Sequence, residues 1–233
     1  MSEPLPSIPP PPLPLLLGEL RALAEAPWFT LRTLSLAGLP RGDGHPVLVI
    51  PGFLAGDAET WPLRRALSRL GYTVHGWGCG RNLGMRPEMK QKLANRLTRL
   101  AGRNGRVSLI GWSLGGVFAR ELARKAPQQV RRVFTLGSPI NGNPAANNLH
   151  TLFALINRQR PPREEPQAFR RRAAPPPVPC VAIYSRSDGI VAWRCCREDA
   201  AAHTENVEIS GSHFGLVVNT QALHALAVRL PRA

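Results

Sequence analysis

Residues 107–116 read Val107-Ser108-Leu109-Ile110-Gly111-Trp112-Ser113-Leu114-Gly115-Gly116. The first four suit a short buried strand, and residues 117–125, halted before Pro127, suit a helix. Between them stands the pattern Gly-x-Ser-x-Gly, from Gly111 to Gly115. A serine held in so abrupt a strand-to-helix turn is strained, and flanking glycines without Cβ atoms let strand and helix approach. The turn lifts the Ser113 hydroxyl above the sheet at a helix N-terminus. There, backbone N–H groups and the helix dipole stabilise an anion. This one stretch predicts an α/β architecture and a candidate nucleophile together.

The same unit recurs outward along the chain. Apolar runs at 47–50, 72–77, 130–136, 181–184 and 207–209 read as further strands. Helical patterns fill residues 59–70, 89–102 and 220–230, with Gly71 and Gly102 as stops. Strands alternating with helices predict a mostly parallel sheet of about six to seven strands, with helices on both faces. Residues 141–177 break the rhythm. Leu149, Leu152, Phe153 and Ile156 follow helical spacing, and the Arg- and Pro-rich stretch after them reads as a loop. The region is taken as a short helical lid inserted into a single domain spanning 15–233, with 1–14 as a Pro-rich disordered tail.

A nucleophilic serine needs a base, and the base needs an orienting acid. Asp188 falls just after the strand at 181–184, followed by a turn-permitting Gly189. His213 falls just after the strand at 207–209. Both loops lie at the carboxyl ends of parallel strands, the edge that also carries Ser113. His45, His75, His150, His203 and His224 fit no such position and read as structural or solvent-facing. Asp57 follows the first strand and reads as a helix N-cap. Anion-stabilising amides are expected from Leu114 and from Phe53, in the Pro51-Gly52-Phe53 loop.

These residues resemble the α/β-hydrolase superfamily, near the small bacterial lipases and esterases with a reduced cap. The match rests on Pro51-Gly52-Phe53, on residues 111–116, on Gly137-Ser138-Pro139, on residues 187–191 and on Gly211-Ser212-His213. The resemblance implies Ser113 as nucleophile, Asp188 as acid, His213 as base, and Phe53 and Leu114 as oxyanion donors. It implies hydrolysis of carboxylic esters through an acyl-enzyme, with no metal or other cofactor. Leu54, Trp112, Ile140, Val191 and Phe214 flank these positions and are expected to form an apolar substrate pocket. An acyl thioesterase or acyltransferase would use the same three residues, as would a cofactor-free haloperoxidase, and a non-catalytic binding module would share the fold. Two departures stand out. Pro51-Gly52 replaces the His-Gly that many members carry, and the usual leading antiparallel strands have no clear counterpart, residues 29–36 supplying at most one.

Length and composition bound the alternatives. At 233 residues the chain can bury a core without disulfides. It contains no apolar run long enough to span a bilayer. The formal net charge is +15, but only Lys90, Lys92 and Lys125 are lysines. The arginines fall at helical spacings such as Arg96, Arg99 and Arg103. That pattern suits a solvated face better than a nucleic-acid groove, so the expected partner is a small-molecule or lipid ester. A peripheral membrane surface or an acidic carrier protein is a further expectation from the charge. Cys79, Cys180, Cys195 and Cys196 show no zinc or redox spacing. Free thiols, and an N-terminus without the basic-then-apolar pattern of a secretory signal, give a cytoplasmic expectation.

Overall fold

In strand β1 (Pro46–Ile50) every residue is buried, yet alternate side chains leave toward different cores. Val47 and Val49 join one apolar cluster with Leu63 and Leu67 of helix α3 (Asp57–Arg69) and Leu223 and Leu226 of the last helix, α7 (Thr220–Ala227). Leu48 and Ile50 join another with Leu93 and Leu97 of α4 (Pro87–Asn104) and Phe118 and Leu122 of α5 (Leu114–Lys125). Such unbroken apolar strands are what a sheet covered on both faces requires. The computed structural model describes residues 8–84, 86–141, 146–156 and 171–231.

Among the described residues the sheet has six strands: β1, β2 (Thr73–Gly76), β3 (Val107–Trp112), β4 (Val130–Leu136), β5 (Cys180–Ser185) and β6 (Thr204–Ile209). Their order is β2-β1-β3-β4-β5-β6, and every pairing is parallel. The chain leaves β1 toward one edge to make β2, then returns to place β3 on the other side. Loops after β1 and β3 therefore diverge and open a crevice at the carboxyl ends of the strands, the usual ligand position in such sheets.

Helix α4 runs past Gly102 to Asn104. Asp57 is not a cap: Gly56 precedes α3, and the Asp57 carboxylate accepts the Trp77 and Gly78 amides (2.9 and 3.0 Å) at the end of β2. Residues 29–36 supply no strand. They fall in and just after helix α2 (Ala22–Arg32), whose Phe29 is buried against the first core. The Pro-rich start is also more ordered than expected from residue 8 onward, while 1–7 lie outside the described residues. Pro11 is buried, its carbonyl accepts the Asn148 side chain (3.1 Å), and helix α1 (Leu13–Leu17) follows. Arg120 of α5 forms a fully buried ion pair with Glu198, and its Nη2 donates to the Arg172, Ala173 and Ala174 carbonyls.

The expected insertion is described at 146–156 and from 171 on; its residues 142–145 and 157–170 lie outside the described residues. Residues 146–148 run against 190–192, with Asn148 N–H donating to Ile190 O (2.8 Å) and Ala192 N–H to Ala146 O (3.0 Å). That pairing leads helix α6 (His150–Ile156) over the carboxyl end of the sheet. Among the described residues no helix is long and apolar enough to cross a membrane.

Candidate active site

Ser113 sits between β3 and α5 with φ 53° and ψ −123°, a conformation that is costly for a residue with a Cβ. Packing over-determines it. The Ser113 amide donates to Leu136 O (2.8 Å), and a Cβ on Gly115 would run into the backbone of Ile50 and Pro51. Only glycine lets α5 start so close to β1. The hydroxyl oxygen lies 2.9 Å from Nε2 of His213, and Nδ1 of His213 lies 2.6 Å from Oδ2 of Asp188. The three side chains, 75 and 25 residues apart in sequence order, meet in one hydrogen-bonded chain, as their positions after β3, β5 and β6 predict.

Each link is buried: Asp188 is 2% exposed and His213 1%. The other Asp188 oxygen, Oδ1, accepts the Ile190 and Val191 amides, both at 2.8 Å. Those two bonds fix which oxygen faces the imidazole and give the buried carboxyl the hydrogen-bond partners that a polar group out of water needs. A ring facing a carboxylate through Nδ1 carries its proton there and leaves Nε2 as an acceptor toward Ser113.

Leu54 is the other non-glycine residue with positive φ (63°) among the described residues. Its strain lies in the loop after β1, beside Phe53. Asn82, fully buried after β2, braces that loop: its side chain donates to Pro51 O (2.8 Å), and backbone bonds join it to Leu54 and Ala55 (2.8 Å each). Phe53 and Leu114 both line the cavity beside Ser113. Sequence reasoning missed Asn82; its only signal is a polar residue in the loop opposite the Pro-Gly turn.

A cavity of about 280 Å³ opens at Ser113. Phe53, Leu114, Val117, Leu149, Phe153 and Val191 give it apolar walls, with Asn147, His150 and Arg172 as its polar edge. Phe53 meets Phe153 of α6 edge to face, centroids 5.1 Å apart. Of the five pocket positions expected from sequence, only Val191 lines this cavity. Trp112 points into the core beneath the site and donates from its indole to His213 O (3.0 Å). Ile140 is buried where its amide bonds Cys195 O. Leu54 does not line the cavity, and the exposed Phe214 lies edge-on to the His213 ring. Neighbours along the chain of a site residue need not face the site, because a tight turn sends successive side chains in different directions.

A second Asp-His-Ser chain lies at the opposite end of β3. His45 bonds Asp43 through Nδ1 and Ser108 Oγ through Nε2 (2.8 Å). Ser108 is wholly buried in the second position of the strand, so no substrate can reach it. His45 is therefore structural.

A model of the alpha/beta hydrolase family matches residues 47–230. The chain belongs to that family. This hydrolase shares its fold with a lipase-esterase related protein from Clostridium acetobutylicum (TM-score 0.61, 15% identity, 83% of this chain and 98% of that one). It also resembles a structure reported for the metagenome-derived lipolytic enzymes LipS and LipT (TM-score 0.60, 14% identity, 82% and 94% covered). A thioesterase domain from the curacin biosynthetic pathway aligns as well (TM-score 0.53, 14% identity, 82% and 92% covered). Identities this low speak for the fold alone. No curated protein sequence matches the chain.

Proposed function

We propose that this alpha/beta hydrolase cleaves carboxylic esters through an acyl-enzyme on Ser113. The observation that carries the reading is the buried chain from Asp188 through His213 to Ser113 Oγ, ending at the cavity. Nε2 of His213 takes the hydroxyl proton as Oγ attacks the ester carbonyl. The anion that forms rests on the Phe53 and Leu114 amides, a stabilisation worth about 3 kcal/mol per donor in such sites. The tetrahedral species collapses, the C–O bond to the alcohol breaks, and His213 hands its proton to the leaving oxygen. Water, deprotonated by the same nitrogen, then releases the acid. Asp188 holds the tautomer and balances the imidazolium charge without itself taking the proton.

The apolar walls favour an uncharged acyl chain, with α6 as the cap over it. A binding module would have no use for a strained, hydrogen-bonded serine, and none of this chemistry needs peroxide. A thioester remains a second reading, favoured by the net charge of +15, which complements an acidic carrier. Matched p-nitrophenyl esters and acyl thioesters separate the two. Faster ester turnover, abolished in Ser113→Ala, supports the esterase reading; exclusive thioester cleavage overturns it, and turnover that survives Ser113→Ala overturns both.

A further inference from the structure

The family match begins at residue 47, yet the loops carrying Asp188 and His213 are held from a segment well before it. Glu19 lies in the helical turn Gly18–Arg21 between α1 and α2. Its carboxylate is buried, with 6% of the residue exposed, and points inward against the two loops. Oε1 accepts the amides of Gly189 (2.7 Å) and His213 (2.9 Å), and Oε2 accepts that of Phe214 (3.0 Å). One side chain thus ties the residue after the acid to the base itself. Two neighbours extend the grip: Arg21 donates to Ser187 O (2.7 Å), and Glu25 accepts both the amide (3.1 Å) and the hydroxyl of Ser212.

The loops are shaped to receive this segment. A Cβ on Gly189 would collide with the backbone of Leu15 and Leu16, so that glycine serves close approach and not a left-handed turn. The His213 backbone is then fixed from both sides, its N–H by Glu19 and its C=O by the Trp112 indole. A buried carboxylate is expensive unless fully hydrogen-bonded, and three amides supply that here.

Resting on the esterase reading, we propose that Glu19 is a positioning residue, which sets the separation of Asp188 and His213 and so the aim of Nε2 at Ser113. It touches no substrate and moves no proton. Its effect belongs on kcat and on acylation of Ser113, not on substrate affinity, because misplacing a reacting group by about 1 Å costs on the order of 10²-fold in rate.

The test compares wild type with Glu19→Ala, Glu19→Gln and Arg69→Ala. Arg69 holds the far end of the same segment, through the Thr33 and Leu34 carbonyls, and touches neither loop. Kinetics with p-nitrophenyl acetate and the rate of fluorophosphonate labelling are read beside thermal midpoints. Glu19→Ala is expected to lower kcat and labelling by about 10- to 100-fold with KM within about twofold. Glu19→Gln keeps one acceptor for Gly189 and His213 but turns an N–H₂ toward the Phe214 amide, so it recovers part of the rate. It is the variant to read should Glu19→Ala not fold. Arg69→Ala keeps wild-type kcat whatever stability it loses. Unchanged kcat in both Glu19 variants, or an equal loss in Arg69→Ala, overturns the proposal. Proton NMR separates this from failure of the esterase reading, because the downfield signal of the His213 Nδ1–H facing Asp188 reports geometry without turnover. Its loss in Glu19→Ala and persistence in Arg69→Ala support the positioning role even in a protein that hydrolyses nothing tested. Its persistence in every variant contradicts that role.

Discussion

Replacing Asp188 by Asn removes one charge and almost no volume, and the surrounding bonds dictate how the amide sits. Oδ1 accepts two backbone amides at 2.8 Å, so the Asn carbonyl oxygen must take that place. The opposite orientation would turn an N–H₂ onto two buried N–H donors, forfeiting two bonds at about 1–3 kcal/mol each. With the oxygen so fixed, the amide nitrogen faces Nδ1 of His213 from the position of Oδ2, 2.6 Å away. Nδ1 must then accept, its proton moves to Nε2, and the imidazole now donates toward Ser113 where it should accept. The wrong tautomer in an otherwise intact Ser-His-Asp site costs about 10⁴ in kcat, or about 5.5 kcal/mol of barrier. Steady-state kinetics on a short p-nitrophenyl ester at pH 7 measures it, with KM staying within a few-fold. Urea unfolding should show a stability change of no more than about 2 kcal/mol, since only the charged bond to His213 is weakened. A variant retaining a tenth or more of wild-type kcat would refute the tautomer argument.

Arg120→Met leaves Glu198 buried without its cation and should cost about 3–5 kcal/mol in urea unfolding, with the double variant Arg120→Met/Glu198→Gln recovering part of it; a loss under about 1 kcal/mol contradicts the pair's role. Acidification should weaken the fold before it strips the carboxylates. Burial holds His45 below the ordinary histidine value of 6.5, with Arg131 adding to that against the pull of Asp43. Burial of Asp43 is outweighed by its bonds from His45, which keep its carboxyl at about 2, so it stays ionised throughout. Unfolded chains therefore take up the proton that folded His45 resists. Stability is intact above about pH 6.5 and falls as pH drops below it. His45→Gln should flatten, without abolishing, the slope of urea midpoint against pH between about 6.5 and 5, because half-buried His75, also held below the ordinary histidine value by desolvation, titrates in the same sense; an unchanged slope excludes His45 as the cause.

The sheet was legible because burial on both faces leaves strands as unbroken apolar runs, and residues 47–50 and 181–184 carry that mark with no tertiary information. The places of Ser113, Asp188 and His213 followed from topology, since parallel strands put all their following loops on one edge. Side-chain direction within those loops was not legible. Trp112 and Ile140 flank site residues yet turn into packed interior, while Leu149 and Phe153 reach the cavity from a helix set there by the pairing of 146–148 with 190–192. Glu19 left still less trace. Its partners are backbone amides 170 to 195 residues away, and a lone Glu in a leucine-rich stretch has no periodicity to betray it. Among the described residues a helical segment stands where the leading strands would, its Phe29 and Glu19 packed against the domain from before the matched family region.

The central claim is that Ser113 alone is made nucleophilic by its surroundings, although Ser108 also bonds a histidine that bonds an aspartate. Intact-protein and peptide mass spectrometry after treatment with a fluorophosphonate tests it directly. The account predicts a single adduct, on the peptide containing Ser113, that disappears in Ser113→Ala and slows sharply in Asp188→Asn. An adduct elsewhere, or none on Ser113 in the folded protein, would contradict it.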